Sequence, residues 1–316
     1  MNEAILPLRM IDVPCPCCNN IEYSEYAHGY DYEYGTSPDR FTFVRCNTCS
    51  VLFLNPRPAL NELGRIYPQE YEPYHFDKKS LTLTARRWLE TRKASLMARN
   101  LAAGARILDA GCGGTTFLNC LRRVGSGKLE LWGNDISSET CKRISAAGYS
   151  VAPGRLEDIS LPDAFFDLII LKQVIEHLDK PRAVITKAFR LLKSGGELVV
   201  ETPNSSSIDA RLFGNGFWGG FHFPRHWTIF DFLTLSKMGE EAGFVVKSID
   251  FMLSPAFWVQ SFHHLLHSSG FPAWVAGFFS IKNPIPVSVA CIFDLLQKIT
   301  VRTTSNMRIV FSVPVK

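Results

Sequence analysis

Strand and helix signals alternate from Arg106 to Thr202, and that rhythm predicts an α/β protein with a mostly parallel sheet covered on both faces. The stretch 107–118, ILDAGCGGTTFL, points the same way: an apolar strand runs through Asp109 into a turn of Gly111, Gly113 and Gly114 that opens a helix. A third observation concerns the last two strands. About 54 residues lie between them, far more than a usual connection, so the sheet is expected to carry an apolar helical insertion.

The elements follow in order. Strands are expected over 106–109, 129–135, 149–152, 166–171 and 197–202, with helices from the glycine turn to about 124, near 138–147 and over 181–192. Gly195 and Gly196 stand after the last of these as its stop. Beyond Thr202 come a Gly- and aromatic-rich loop, a helix over 230–242, a strand over 244–251, the insertion 252–305 and a final strand over 307–313. Upstream, a short helical segment and an aromatic-rich loop, 61–74, lead to a long helix over 81–101. Its Arg86, Arg87, Arg92, Lys93 and Arg99 read as a solvated face in preference to a phosphate site. The run NPRP at 55–58 interrupts both helix and strand and marks a boundary. The expected division is a small module at 1–56, a linker and helical cap at 57–104, a cofactor-binding core at 105–251, the insertion at 252–305 and the last core strand at 306–316.

Composition agrees with one substantial core plus a small module: 46% of the 316 residues are apolar and 20% charged, which excludes disorder. The formal net charge is +4, yet residues 1–80 hold seven Lys+Arg against eleven Asp+Glu. That acidic start argues against phosphate-backbone recognition by the N-terminal part. MNEAILPLRM places an acid before any apolar run and offers no long apolar core of a secretory signal, so a reducing, cytoplasmic setting is expected. Nine cysteines in such a setting suggest metal before disulfides.

Asp109 discriminates among ligands for the glycine turn. A dinucleotide would bring its pyrophosphate to a carboxylate two residues before the first glycine, whereas S-adenosylmethionine brings an ammonium and a sulfonium. Thr116 also stands where the third glycine of GxGxxG belongs. Asp135, in LWGNDIS at the end of the next strand, is placed to accept bonds from both ribose hydroxyls. Cys15, Cys18, Cys46 and Cys49 form CPCC and CNTC, two knuckles with the spacing of a tetrahedral thiolate zinc site. Cys17 competes with Cys18 as a ligand, and buried free thiols are the alternative to metal. Four thiolates would close the coordination sphere, so the zinc is expected to fold the module and not to react. Cys112, Cys120, Cys141 and Cys291 read as ordinary thiols.

Taken together, ILDAGCGG, GNDIS, GRLEDISLP from Gly154, DLIILKQVIEHL from Asp167 and LLKSGGELVVETPN from Leu191 resemble the successive motifs of class I S-adenosylmethionine-dependent methyltransferases, over about residues 100–250. The zinc pair followed by LFLNPRP resembles the N-terminal ribbon of a bacterial subgroup whose members often sit in polysaccharide or natural-product pathways. The resemblance implies a seven-stranded Rossmann-like sheet, with Gly111 and Gly113 at the methionine portion of the cofactor, Asp135 at the ribose and Gln173 beside it. Arg155 departs from the pattern, standing where many relatives have an acid that meets the adenine amino group. That role passes to the Leu156 backbone and to Glu157 or Asp158.

Glu176 and His177 follow the fourth strand, near where a transferable methyl should lie; the competing reading is a structural helix-start pair. His226, in GGFHFPRHWTIF, falls in the expected substrate loop, with His222 as its rival, and packing roles stand beside both. His177 and His226 are the candidate bases, needed only if the acceptor is a hydroxyl or protonated amine. In an open α/β sheet the ligand lies beyond the carboxyl ends of the strands, so 203–228 and 252–305 are both expected to roof the acceptor. Their Trp218, Trp227, Trp258 and Trp274 suit an apolar acceptor, a sugar face, a membrane-surface contact or a homodimer. The apolar runs in the insertion are too short to span a bilayer. The expected activity is methyl transfer to a small or lipid-linked acceptor, a glycan intermediate among them, with O-methylation favoured over N- or C-methylation. It would take place in the cytoplasm or at the inner face of the membrane. The alternatives are an RNA methyltransferase whose zinc module grips RNA, against which the module's acidity counts, and a non-catalytic cofactor-binding scaffold.

Overall fold

A computed structural model describes residues 6–68 and 81–315, with backbone alone for 81–87. The segment 69–74 of the expected aromatic loop and the side chains of Arg86 and Arg87 lie outside the described residues.

The central sheet has seven strands: β6 (Arg106–Ala110), β7 (Glu130–Asp135), β8 (Ser150–Pro153), β9 (Phe166–Lys172), β10 (Leu192–Pro203), β12 (Val245–Met252) and β13 (Asn306–Ser312). Their spatial order is β12-β13-β10-β9-β6-β7-β8, parallel except for β13, which runs against both neighbours. The order reverses direction between β6 and β9, and a ligand crevice is expected beyond the carboxyl ends there. The inner strands are buried on both faces, as the continuous apolar runs of β6 and β9 require. β13 instead alternates, sending Met307, Ile309 and Phe311 into the core.

The helices flanking this sheet are α2 (Leu81–Ala98), α3 (Thr116–Val124), α4 (Ser138–Ala146), α5 (Pro181–Leu191) and α7 (Phe232–Glu241), while the short α1 (Leu63–Ile66) precedes α2 and α6 (Ile208–Leu212) lies in the loop after β10. α5 opens on a proline at its first turn and buries Val184, Ile185, Ala188 and Leu191, one helical face. α7 starts later than expected, because Asp231 and Thr234 form a reciprocal capping box. Gly195 and Gly196 do not end α5, which stops at Leu191. Leu192 already pairs with Phe166, and the two glycines fall in the register shift between Leu192 and Glu197 inside β10.

The N-terminal residues form a second, antiparallel sheet of β2 (Tyr23–Gly29), β3 (Phe41–Cys46), β4 (Leu52–Leu54) and β11 (Thr228–Ile229), in the order β11-β4-β3-β2. β1 (Met10–Ile11) pairs with β5 (Arg57–Pro58) beside it. β11 belongs to the loop after β10, so the segment 1–56 shares its sheet with the core's own chain. One aromatic cluster joins Phe41 and Phe43 of β3 to Trp218, Phe221 and Trp227 of that loop and to Trp258 of the insertion.

The insertion leaves β12 at the carboxyl edge and forms α8 (Pro255–Ser268), α9 (Ala273–Phe278) and α10 (Pro284–Thr300). α8 packs on the loop: Gly219 N donates to Ser261 Oγ at 2.9 Å, and the Trp218 and Phe257 rings lie 5.9 Å apart. No helix among the described residues is long and apolar enough to cross a membrane.

Candidate active site and metal centre

A cavity of about 730 Å³ opens at the β6–β9 switch point. The tips of β6, β7 and β9 bring Asp109, Gly111, Gly113, Asp135 and Gln173 to its wall, and the following loops add Leu156, Glu157 and His177. Gly111 and Gly113 adopt φ of +66° and +61°, the left-handed region open to glycine. A Cβ on Gly111 would also come within 2.8 Å of Val174. Gln173, at φ +54°, holds that conformation without being glycine; its backbone N–H is tied to Glu201 O at 2.8 Å and its amide to Asn306 at 3.1 Å.

Asp135 is held at both oxygens, accepting from Gly113 N at 3.0 Å and Ser137 N at 2.8 Å. Burial lifts the Asp109 carboxyl to about 7; Lys172 opposes the shift, while Glu90, Asp135 and Glu201 add to it. The floor of the cavity is thus short of positive charge, a condition that a cationic ligand relieves. Glu90, from α2, also lines the cavity, paired with Lys172 and with Lys93 at 3.3 Å. Lys93 reaches Glu201 at 3.5 Å as well, so this part of α2 packs on the site and is not merely a solvated face.

Arg155 is neutralised in place by Glu157 at 2.6 Å and by Asp179. Of the acids expected to serve the adenine, Glu157 lines the cavity; Asp158 is exposed and stands outside it.

His177 lines the cavity, and His226 is buried behind it, with ring centroids 4.6 Å apart. The Nδ1 of His177 meets Arg225 O at 3.0 Å, and that of His226 meets Gly220 O at 2.8 Å. A carbonyl can only accept, so both rings carry their proton on Nδ1 and present Nε2 as a lone pair. Burial holds His177 down at about 3 and His226 well below the usual imidazole range, so both are neutral. The neighbouring Glu176 is fully buried, and burial lifts its carboxyl to about 8. His222 pairs instead with Glu33, through Nδ1 at 2.6 Å.

Two lining residues have no signal in the linear pattern: Tyr67, whose OH reaches His177 Nδ1 at 2.9 Å, and Glu90, from α2. Trp227, from the expected loop, is fixed by its backbone N–H to Glu176 O at 2.7 Å. The expected roofing is met only by the loop after β10, through Trp227. No described lining residue comes from 252–305, because α8 is spent on packing against that loop.

The structure gathers Cys15, Cys18, Cys46 and Cys49, their sulfurs all within 4.8 Å of one another, and leaves Cys17 outside the group. Two of the Sγ–Sγ distances are 3.5 Å, close to the edge of roughly 3.8 Å that Zn–S bonds of about 2.3 Å give a tetrahedron. Each knuckle closes alike: Asn19 N donates to Cys15 O and Ser50 N to Cys46 O, with Asn19 and Ser50 at φ of +61° and +64°.

An α/β sheet with an acid-lined cleft at its switch point defines a cofactor-binding class of protein. A family of methyltransferase domains matches residues 85–249, half of the chain, and the protein belongs to that family. A ubiquinone biosynthesis O-methyltransferase of Xanthomonas oryzae pv. oryzae is 33% identical over 114 residues, 34% of this chain and 46% of the relative. The mitochondrial ubiquinone biosynthesis O-methyltransferase of Schizosaccharomyces pombe is 31% identical over 121 residues, 36% of this chain and 43% of the relative. The chain thus spans less than half the length of these two relatives. Among solved structures, the cyclase SpnF superposes with a TM-score of 0.52 at 17% identity, covering 77% of this chain and 86% of that one, which speaks for the fold alone.

Proposed function

We propose that the protein is an S-adenosylmethionine-dependent methyltransferase acting on a hydroxyl of a small or lipid-linked acceptor, with a sugar or glycan intermediate as the leading candidate. The observation that carries this reading is the pair of carboxylates at neighbouring strand tips, Asp109 and Asp135, in one cavity whose acids outnumber its cations. The residues present fit the cofactor: Asp135 would accept the ribose hydroxyls, Gly111 and Gly113 let the backbone approach, Gln173 stands beside them, and Asp109 balances cationic charge. Leu156 and Glu157 would meet the adenine. When bound, the cofactor supplies an electrophilic methyl group on a sulfonium.

The chain's own work is then to hold the acceptor oxygen in line and to deal with its proton. Tyr67, His177 and Trp227 line the side that this reading gives to the acceptor, and the reading assigns its proton to His177, with His226 buried behind it. The O-methyltransferase names of the two relatives support a hydroxyl as the acceptor group.

The four cysteines fit a structural zinc that would hold β3 and β4 in register, in a reducing, cytoplasmic setting. Titration with S-adenosylmethionine, followed by transfer of its labelled methyl into fractionated cell lysate, tests the reading. A labelled lipid or glycan fraction is expected. Absence of binding, or of transfer to any fraction, overturns it.

A further inference from the structure

Glu176, His177 and His226 bring one donor atom each to within 4.8 Å of one another beside the acceptor wall. Both imidazoles have committed their N–H to backbone carbonyls, the arrangement by which metal-binding histidines fix their tautomer. Glu176 Oε2 accepts from Thr202 Oγ1 at 2.9 Å, but Oε1 is buried with no hydrogen-bond partner. A fully buried oxygen without a partner, beside two imidazoles, is a place for a hydrogen-bond donor or a cation.

We propose that Glu176, His177 and His226 bind a divalent first-row transition cation as a two-histidine, one-carboxylate site with open positions. Bonds of about 2.1 Å would draw the donors to roughly 3–3.5 Å apart. Resting on the methyltransferase reading, the cation's role is to ligate the acceptor hydroxyl and lower its proton affinity, the proton leaving to solvent as the metal–oxygen bond forms. His177 and His226 then act on that proton through the ion and not by taking it.

Mn²⁺, which does not compete for a tetrathiolate zinc site, is the probe. Electron paramagnetic resonance of the zinc-loaded full chain should show one Mn²⁺ bound per chain. Glu176→Gln and His226→Asn should each weaken it by more than about tenfold while zinc content and cofactor titration stay unchanged. Should Glu176→Gln fail to fold, His177→Asn serves in its place. A wild-type chain that binds no second metal, or variants that bind Mn²⁺ as well as wild type, overturns the site. Failure of the methyltransferase reading would show separately, as absent cofactor binding.

An independent observation concerns the insertion. α10 buries Pro286, Ala290, Asp294 and Gln297, and its other side exposes Ile285, Ile292, Leu295, Leu296 and Ile299. On the preceding helix, α9, Trp274 is 79% exposed, and Phe271 just before it is exposed as well. The charged residues of 252–305 are Lys282, Asp294, Lys298 and Arg302. The one acid is buried, accepting from Trp258 Nε1 at 2.9 Å, and the three cations are exposed. Two copies meeting face to face would bring like charges together with no exposed acid from the insertion to pair them, whereas an anionic bilayer complements both the cations and the apolar arc.

We infer that this face docks on an anionic lipid surface. Vesicles containing phosphatidylglycerol should carry the full chain in flotation, phosphatidylcholine vesicles should not, and Ile292→Asp or raised salt should release it. Absence of vesicle binding overturns the inference, as does a dimer in light scattering that Ile292→Asp dissociates.

Discussion

The backbone N–H of Gly113 donates to Asp135 Oδ2 at 3.0 Å, tying the glycine turn after β6 to the tip of β7 before any ligand arrives. With Ser137 N on Oδ1, the carboxylate is oriented and keeps its remaining lone pairs for the cavity. The acid thus shapes the turn, and in the proposed site it holds the ligand as well.

Asp135→Ala should lose both. Removing a charged acceptor of two hydroxyls, at about 1.5–3 kcal/mol for each charged hydrogen bond, predicts an affinity loss of about a hundredfold or more. Calorimetric titration with S-adenosylmethionine measures it. Unchanged affinity would remove Asp135 from the site.

Asp109 gives a pH dependence. Its folded value of about 7 lies above the unfolded carboxylate value, so between about pH 4 and 7 the folded chain holds a proton that the unfolded chain has lost. Its contribution is fully present below about pH 4 and is lost as pH rises through about 7. Thermal melting of the cofactor-free protein should show that component, and Asp109→Asn should flatten it. A cationic ligand prefers the ionised carboxylate, so affinity should rise from pH 5.5 to 7.5, with proton release on binding. In Asp109→Asn the affinity should fall by about tenfold or more and lose its slope. A slope that survives in the variant would point to another group.

The four-cysteine module reaches the cavity through the sheet. β4 pairs with both β3, which ends on Cys46, and β11, which follows Trp227. Cys49→Ser should remove one zinc per chain by elemental analysis and lower the melting temperature by about 5 °C or more. It should also weaken cofactor or acceptor binding through the displaced Trp227. A variant with full affinity would separate the two regions.

Much of this site was legible because it is local. Asp109 and Asp135 stand at the ends of consecutive parallel strands joined by one helix, so strand pattern and spacing carry their positions. The cysteine knuckles are legible for the same reason, each being a short turn. Tyr67 meets His177 across 110 residues, and no periodicity records such a contact. β11 is two residues long, below any pattern, yet it joins the N-terminal sheet to the loop after β10. The insertion was legible as apolar helices, but which face packs on Trp218 and which stays exposed depends on partners distant in sequence.

Arg225 and Asp31 supply the last prediction. Their side chains are fully buried and paired twice, Nη1 to Oδ1 at 3.0 Å and Nη2 to Oδ2 at 2.9 Å, joining the loop after β10 to the N-terminal region. Burial alone would lift Asp31, but the hydrogen bonds and charge of Arg225 outweigh it and hold the carboxyl at about 2. The pair's stabilisation is therefore present above the unfolded value near 4 and is lost as pH falls through about 2, so it adds no pH dependence near neutrality. Asp31→Asn leaves a buried guanidinium uncompensated, which predicts a loss of about 3–5 kcal/mol, or roughly 6–15 °C in melting temperature. The Arg225 carbonyl also fixes His177 Nδ1, so methyl transfer should fall further than cofactor affinity in this variant. Asp31→Leu combined with Arg225→Met should recover much of the stability, since no buried charge remains. A double variant as unstable as Asp31→Asn would show that packing around the pair, and not its charge, holds the two regions together.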